Sequence, residues 1–282
     1  MPDVSKTASL FRLLSQAGVS SWKHGLGVPD GHRGPKSANT WLKRYLLLAR
    51  WLLRVSRNYP ERRVALDALR LARTGHPLRQ KKKCVILGSG VISQRNLDLI
   101  REISKDSSTA FIAMNHFDKH PLFGSVDISF WLMLDRAAQQ GNDKVTTKQT
   151  WKEIQQLPNC AVVVPWQDFK STNLPNKLGF ENHSLAGLSW NVSPLWPRGY
   201  EGKSCLKAIC LADYLGFGEI VVAGCSNDYY KRASVTNGLV DANEVKEFAP
   251  MSAEDYFQNI ANEFAWQRMV LSKIKSKVTF LS

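Results

Sequence analysis

The run Val85-Ile86-Leu87-Gly88-Ser89-Gly90 limits what this chain can fold into more than any other segment. Val85, Ile86 and Leu87 show no apolar–polar alternation, so they read as a strand buried on both faces. Such strands belong to parallel sheets covered by helices. The glycines form a tight turn, and the segment after them, Ser93–Ser104, has helical periodicity. A second unit of this kind lies at Ser204–Tyr230. It reads as a helix, Gly216 as its stop, a buried strand, and a polar Asn227-Asp228-Tyr229-Tyr230 loop. In open α/β sheets, loops at the carboxyl ends of the strands form the ligand crevice. Both units put their glycines and polar residues at that edge. A site for a nucleotide or another phosphate-bearing ligand is expected there.

The pattern continues along the chain. Strands are expected at Cys84–Leu87, Thr109–Met114, Val126–Leu134, Cys160–Val164, Glu219–Gly224 and Lys277–Leu281. Helices are expected at Ser93–Ser104, Lys148–Leu157, Lys203–Leu215 and Ser252–Lys273. This alternation predicts an α/β fold: a Rossmann-like, mainly parallel sheet with helices on both faces. Residues 167–202 hold several Pro, Gly and Trp with weak periodicity and read as a long lid or acceptor-binding loop. Trp190 and Trp196 there suit stacking on sugar rings as well as they suit packing.

Charge divides the chain in two. Residues 1–83 hold 18 Lys and Arg against 4 Asp and Glu, whereas the remainder holds 20 of each. The net +14 is therefore entirely N-terminal. A basic helical extension is expected over 1–83, with residues 20–40 as a linker, and the sheet domain over 84–282. Lys43, Arg50, Arg54 and Arg57 share one helical face, and Trp41, Tyr45, Leu48, Leu52 and Val55 form the opposite stripe. Pro60 breaks that helix; Val64–Ala72 continues as a second basic helix before Lys81-Lys82-Lys83. Residues 41–83 fit an anionic membrane surface, and they also fit helices docked on the sheet with a solvated basic side. Nucleic acid is a weaker partner, because no recognition motif accompanies the charge.

No apolar run reaches the ~18–20 residues that cross a bilayer, and residues 1–20 lack a signal-peptide core. A cytoplasmic protein, peripheral on the inner membrane, is the expectation. Cys84, Cys160, Cys205, Cys210 and Cys225 are odd in number and form no CxxC or zinc spacing, so free thiols in a reducing compartment are expected.

Gly88-Ser89-Gly90-Val91-Ile92-Ser93 departs from the dinucleotide fingerprint by placing Ser93 at its third glycine. The turn still offers backbone N–H groups at a helix N-terminus, where the dipole favours phosphate. NAD would need an acid at the end of the second strand, and Asn115 stands there. Asn115 suits a nucleotide and His116 a sugar; the alternative is a turn-forming Asn beside an exposed His. Asp135 follows the third strand in the same way. There is no GxxxxGK[ST] and no Asp-x-Asp, so neither a cofactor nor a metal is expected. Tyr229 and Tyr230, with Lys231 and Arg232, are suited to stabilising a departing phosphate.

Taken in order and spacing, these pieces resemble a known family. They are Val85-Ile86-Leu87-Gly88-Ser89-Gly90-x-x-Ser93, Met114-Asn115-His116-Phe117, and the strand ending Leu134-Asp135. Ser204, eleven residues, then Gly216-Phe217 and the strand to Gly224 follow, with Lys277-Val278-Thr279-Phe280-Leu281 at the end. Residues 84–282 resemble the bacterial sialyltransferases that use CMP-activated sialic acid and, more distantly, the lipopolysaccharide-core Kdo transferases. The resemblance implies transfer of an acidic sugar from its CMP form to a glycan or glycolipid of the cell surface or capsule, without metal and with inversion. It assigns phosphate to Gly88, Ser89, Gly90 and Ser93, the cytidine side to Asn115, donor contacts to Asp135 and Ser204, and the leaving phosphate to Tyr229 and Tyr230.

Two departures stand out. Gly224-Cys225-Ser226 replaces the family's Gly-x-Asp, with Asp228 two places later, and Met251 stands where the family has its general-base His. Asp228, His116 and His183 remain the candidate bases. A pterin-type diphosphokinase is a second reading. A non-catalytic nucleotide-binding module with a basic membrane- or nucleic-acid-binding tail is a third.

Overall fold

The computed structural model describes residues 38–75, 82–88, 90, 92–134, 144–185, 189–200, 204–225 and 264–281. Two helices open the described chain, α1 (Ala38–Arg57) and α2 (Tyr59–Gly75). Strand β1 (Lys83–Leu87), helix α3 (Gln94–Ser104), strand β2 (Thr109–Met114) and strand β3 (Ile128–Leu132) follow. Helix α4 (Lys144–Gln155) leads into β4 (Ala161–Pro165) and β5 (Lys177–Phe180). Helix α5 (Ser204–Leu215), strand β6 (Glu219–Ala223), a helix α6 at 264–271, and strand β7 (Lys277–Leu281) complete the order.

The seven strands form one parallel sheet in the order β5-β4-β3-β2-β1-β6-β7. The chain winds outward from β1 to β5, then crosses to β6 on the other side of β1. That reversal makes β1/β6 the topological switch point, where ligands of open α/β sheets bind. Side chains alternate between two cores. Cys84 and Ile86 of β1 join α2, α5 and α6 on one face, and Val85 and Leu87 join α3 and α4 on the other. The architecture is thus a Rossmann-like α/β sheet. The buried apolar runs β1 to β4 needed both faces covered, and the helices cover them.

Helix α5 ends where Gly216 adopts φ +96°. Gly216 N–H bonds the Asp213 carbonyl at 3.0 Å and Phe217 N–H the Ala212 carbonyl at 3.3 Å, the paired bonds of a Schellman stop. Asp213 Oδ1 also accepts the Lys275 and Ser276 backbone N–H groups, which ties the turn before β7 to α5.

Strand β5 lies inside the stretch that reads as irregular. Its four residues, Lys-Leu-Gly-Phe, show no periodicity, and their strand geometry comes from pairing with β4 and from α2 above. A Cβ at Gly179 would lie 2.6 Å from Ala65, so this glycine lets α2 sit directly on the sheet. Ala65, Leu66 and Leu69 of α2 are fully buried in the core there. The packed body of the domain therefore reaches back to α2, N-terminal to the 83/84 boundary expected from charge.

One buried carboxylate fixes this end of the molecule. Glu181 (0 % exposed) accepts Arg62 Nε–H at 3.0 Å, Trp51 Nε1–H at 3.2 Å and the His183 backbone N–H at 3.2 Å. Arg62 also donates from Nη2 to the Leu195 carbonyl at 2.8 Å and lies between the rings of Trp51 and Trp196. Of the two tryptophans read as suited to sugar stacking or to packing, Trp196 is partly buried against the core beside Arg62, and Trp190 faces Lys273. In α1 the buried stripe is Trp51 and Val55 with Leu48 and Leu52 beside them, while Tyr45 is exposed. Trp51, which is absent from the expected stripe, is buried there with its indole N–H on Glu181; the Trp41 side chain lies outside the described residues.

Candidate functional site

The crevice begins where β1 and β6 end. The register pairs Leu87 with Ala223, so Gly88 meets Gly224 as both strands leave the sheet. Gly88 N–H bonds the Ala223 carbonyl and Gly90 N–H the Gly224 carbonyl, each at 2.9 Å. A Cβ on Gly88 would lie 2.3 Å from the Gly224 oxygen. Gly224 has φ +66°, and a Cβ there would lie 2.7 Å from the Gly88 oxygen. The turns are stapled backbone to backbone, and only glycine fits on either side.

His120 fastens the turn from beneath. Its Nδ1 accepts the Leu122 backbone N–H at 3.1 Å, so the other ring nitrogen carries the proton that faces the Gly90 backbone. The ring is buried and stacks on Phe117 with centroids 4.8 Å apart. Burial holds its pKa below the ordinary 6.5, against the opposing bond to Gly90.

Asn115 stands beside this turn, because Leu87 pairs with Ala113 across β1 and β2. It adopts φ +50°, a left-handed conformation that Asn tolerates better than most residues. Its N–H bonds the Leu132 carbonyl at 3.0 Å, and its carbonyl accepts Trp131 Nε1–H at 2.8 Å. Nδ2 reaches Ser204 Oγ at 3.5 Å, a long contact to the first residue of α5. Only Oδ1 is left, buried and without a partner. Ser93 precedes α3 with no side-chain capping bond, so its exposed hydroxyl is free of that duty.

His116 belongs to a relay. Thr150 Oγ1 donates to Asp118 Oδ1 at 2.7 Å and lies 3.0 Å from His116 Nδ1. Its one proton is committed to Asp118, so it accepts from Nδ1–H. In the neutral ring this leaves Nε2 as the acceptor, the tautomer of a general base.

The structure brings Gly88, Gly90, Asn115 and Ser204 together, with His116 next to Asn115 and Ser93 at the head of α3. His183 is set apart: β5 lies four strands from β1, or ~19 Å at the usual strand spacing. Its backbone N–H is held by Glu181, and burial keeps its pKa below 6.5, with Glu181 opposing and Arg54 and Arg198 adding to the effect. Ser89, Asp135, Asp228, Tyr229, Tyr230 and Met251 lie outside the described residues.

Sequence reasoning missed His120, Asp118, Thr150 and Asn182. Asn182 Nδ2 donates to the Leu134 carbonyl at 2.7 Å, and its Oδ1 is buried without a partner. Trp166 Nε1, after β4, and His183 Nε2 are also buried and unpartnered. Together with Asn115 Oδ1, these unmet atoms follow the carboxyl ends of β2, β4 and β5. Their signal in the sequence is only a polar residue after an apolar strand.

An open cleft of about 400 Å³ lies between Trp151 and Gln155 of α4 and the turn 168–174; it shares none of these residues. Among the described residues, no group of three or more His, Cys, Asp or Glu is placed to hold a metal ion. No disulfide joins the five cysteines, and burial pushes the Cys160 and Cys210 thiols up to about 12. No protein-family model matches this chain, and no curated protein or solved structure matches it either.

Proposed function

We propose that this chain is an inverting, metal-independent glycosyltransferase that moves an acidic sugar of the sialic acid or Kdo type from a CMP-activated donor to a glycan. The observation that carries the reading is the Asn115 corner. A buried amide oxygen without a partner costs on the order of 1–3 kcal/mol, and it lies beside a glycine turn that admits no side chain. An amino group such as that of cytosine would meet Oδ1. The phosphate would take the turn's backbone N–H groups and the Ser93 hydroxyl at the head of α3. Ser204, at the head of α5, would meet the donor from the opposite side.

The unmet atoms from β2 to β5 span three strand spacings, ~14 Å, enough for an extended donor and the start of an acceptor. In the transfer step an acceptor hydroxyl oxygen bonds to the anomeric carbon, and the bond from that carbon to the phosphate oxygen breaks. The electron pair leaves with CMP, and the acceptor proton passes to the base. Of the described candidates, His116 is favoured, because Asp118 and Thr150 hold its ring with Nε2 as acceptor. Asp228 remains a candidate on its position in the sequence.

Calorimetric titration of the purified chain with CMP, CDP, UDP, ATP and NAD tests the reading. Selective binding of CMP is expected, followed by turnover of CMP-sialic acid or CMP-Kdo. Preference for ATP or NAD, or binding of none of the five, overturns it.

A further inference from the structure

Helix α1 carries two apolar stripes, and the fold uses one. At 100° per residue, Leu48, Trp51, Leu52 and Val55 face the domain, and Leu46, Ala49 and Leu53 lie on the opposite side. Leu46 is 49 % exposed and Leu53 57 %. Arg50 and Arg57 flank this outer stripe, are exposed, and make no ion pair among the described residues. The two acids of α1 and α2 are already paired: Asp67 with Arg63 and Arg70, and Glu61 with Lys170.

Single exposed leucines are ordinary. Leucines a heptad apart, with alanine between and unpaired arginines at the shoulder, make the pattern of a helix lying in a lipid interface. We infer that the outer stripe of α1 docks on an anionic membrane surface, with Leu46 and Leu53 entering the headgroup boundary and Arg50 and Arg57 meeting lipid phosphates. Charge complementarity selects this partner. Residues 1–83 hold 18 bases against 4 acids, and no described helix is long and apolar enough to cross a membrane. The stripe suggested by sequence alone is mostly consumed by the domain, so the membrane face is a different one. The Glu181–Arg62–Trp51 cluster then sets how the catalytic edge is presented to lipid-linked acceptors. The docking does not depend on the donor chemistry.

The test is flotation of the full chain with vesicles of phosphatidylcholine alone or with phosphatidylglycerol. Binding is expected only with the anionic lipid. Arg50→Gln with Arg57→Gln should weaken it about 25-fold, from about fivefold per arginine. Leu46→Ser with Leu53→Ser should weaken it at least about tenfold. Both double variants should keep the wild-type unfolding midpoint, because these side chains are on the outside. Equal binding to neutral vesicles, no binding at all, or full binding by the leucine variant overturns the inference. So does a lipid-free dimer that the leucine variant abolishes, which would make the stripe a self-association face.

Discussion

Two polar clusters sit at the same edge of the sheet, a buried one at Glu181 and a half-buried one at Asn115, and they differ in completeness. At Glu181, three N–H donors meet one carboxylate, and the arginine that supplies one of them spends another on a carbonyl between two tryptophan rings. At Asn115, three of four polar groups are engaged and the amide oxygen is not. A satisfied buried cluster holds a fold together. An unsatisfied one is tolerated where something else completes it.

The largest expected effect follows from the first cluster. Glu181→Ala would leave Arg62 as an uncompensated buried cation, at a cost of about 3–5 kcal/mol. Thermal unfolding should shift down by on the order of 10 °C for a chain of this size. CMP affinity of the protein that remains folded should not change. An unmoved melting temperature would mean that the cluster is dispensable and that α1 and α2 are held by their apolar contacts.

The second cluster should respond in the opposite way. Asn115→Gly suits the left-handed backbone, so stability should stay near wild type while CMP affinity, measured by titration, drops about tenfold for one lost hydrogen bond. Gly88→Ala should lose both. Its Cβ collides with backbone, which costs about 1–3 kcal/mol and opens the staple on which the turn depends. Unchanged CMP affinity in Asn115→Gly would remove the corner from the site and make it a folding feature like Glu181.

These clusters were unequally legible in the sequence. The strands β1, β2, β3, β4 and β6 could be read because burial on both faces writes uninterrupted apolar runs. Gly88, Gly90, Asn115 and Ser204 could be placed because parallel topology sends every strand end to one edge. Strand β5 could not be read, since Lys-Leu-Gly-Phe owes its geometry to Ala65 and β4, which are remote in sequence. Arg62 and Glu181 look like two surface charges 119 residues apart. Only the fold shows that they are partners. The charge split placed the boundary at 83/84 for the same reason: basic residues on α2 hid the Ala65–Leu66–Leu69 stripe. His120 escaped notice because nothing local joins it to Gly90.

That last contact yields the smallest effect and separates the two regions by pH. His120 and His183 both have pKa values lowered from 6.5, chiefly by burial. Below about 6.5 the unfolded chain takes up protons at these positions while the folded chain does not. Stability therefore falls as pH drops through that value, until each folded pKa is reached. Urea unfolding at pH 7.5 and pH 5.5 should show a lower midpoint at the acid end. His120 faces Phe117, the Leu122 N–H and the Gly90 backbone. The added proton goes to Nδ1, where it meets the Leu122 N–H, so the charged ring loses the bond that seats it under the glycine turn, and CMP affinity should fall over the same range. His183 faces Glu181, Arg54 and Arg198 and should alter stability alone. Replacing His120 with Asn should flatten the acid loss of CMP affinity, whereas His183→Asn should flatten only the stability profile. If the His183 variant also changed the affinity profile, the two clusters would be one coupled unit, and the distinction between them would fail.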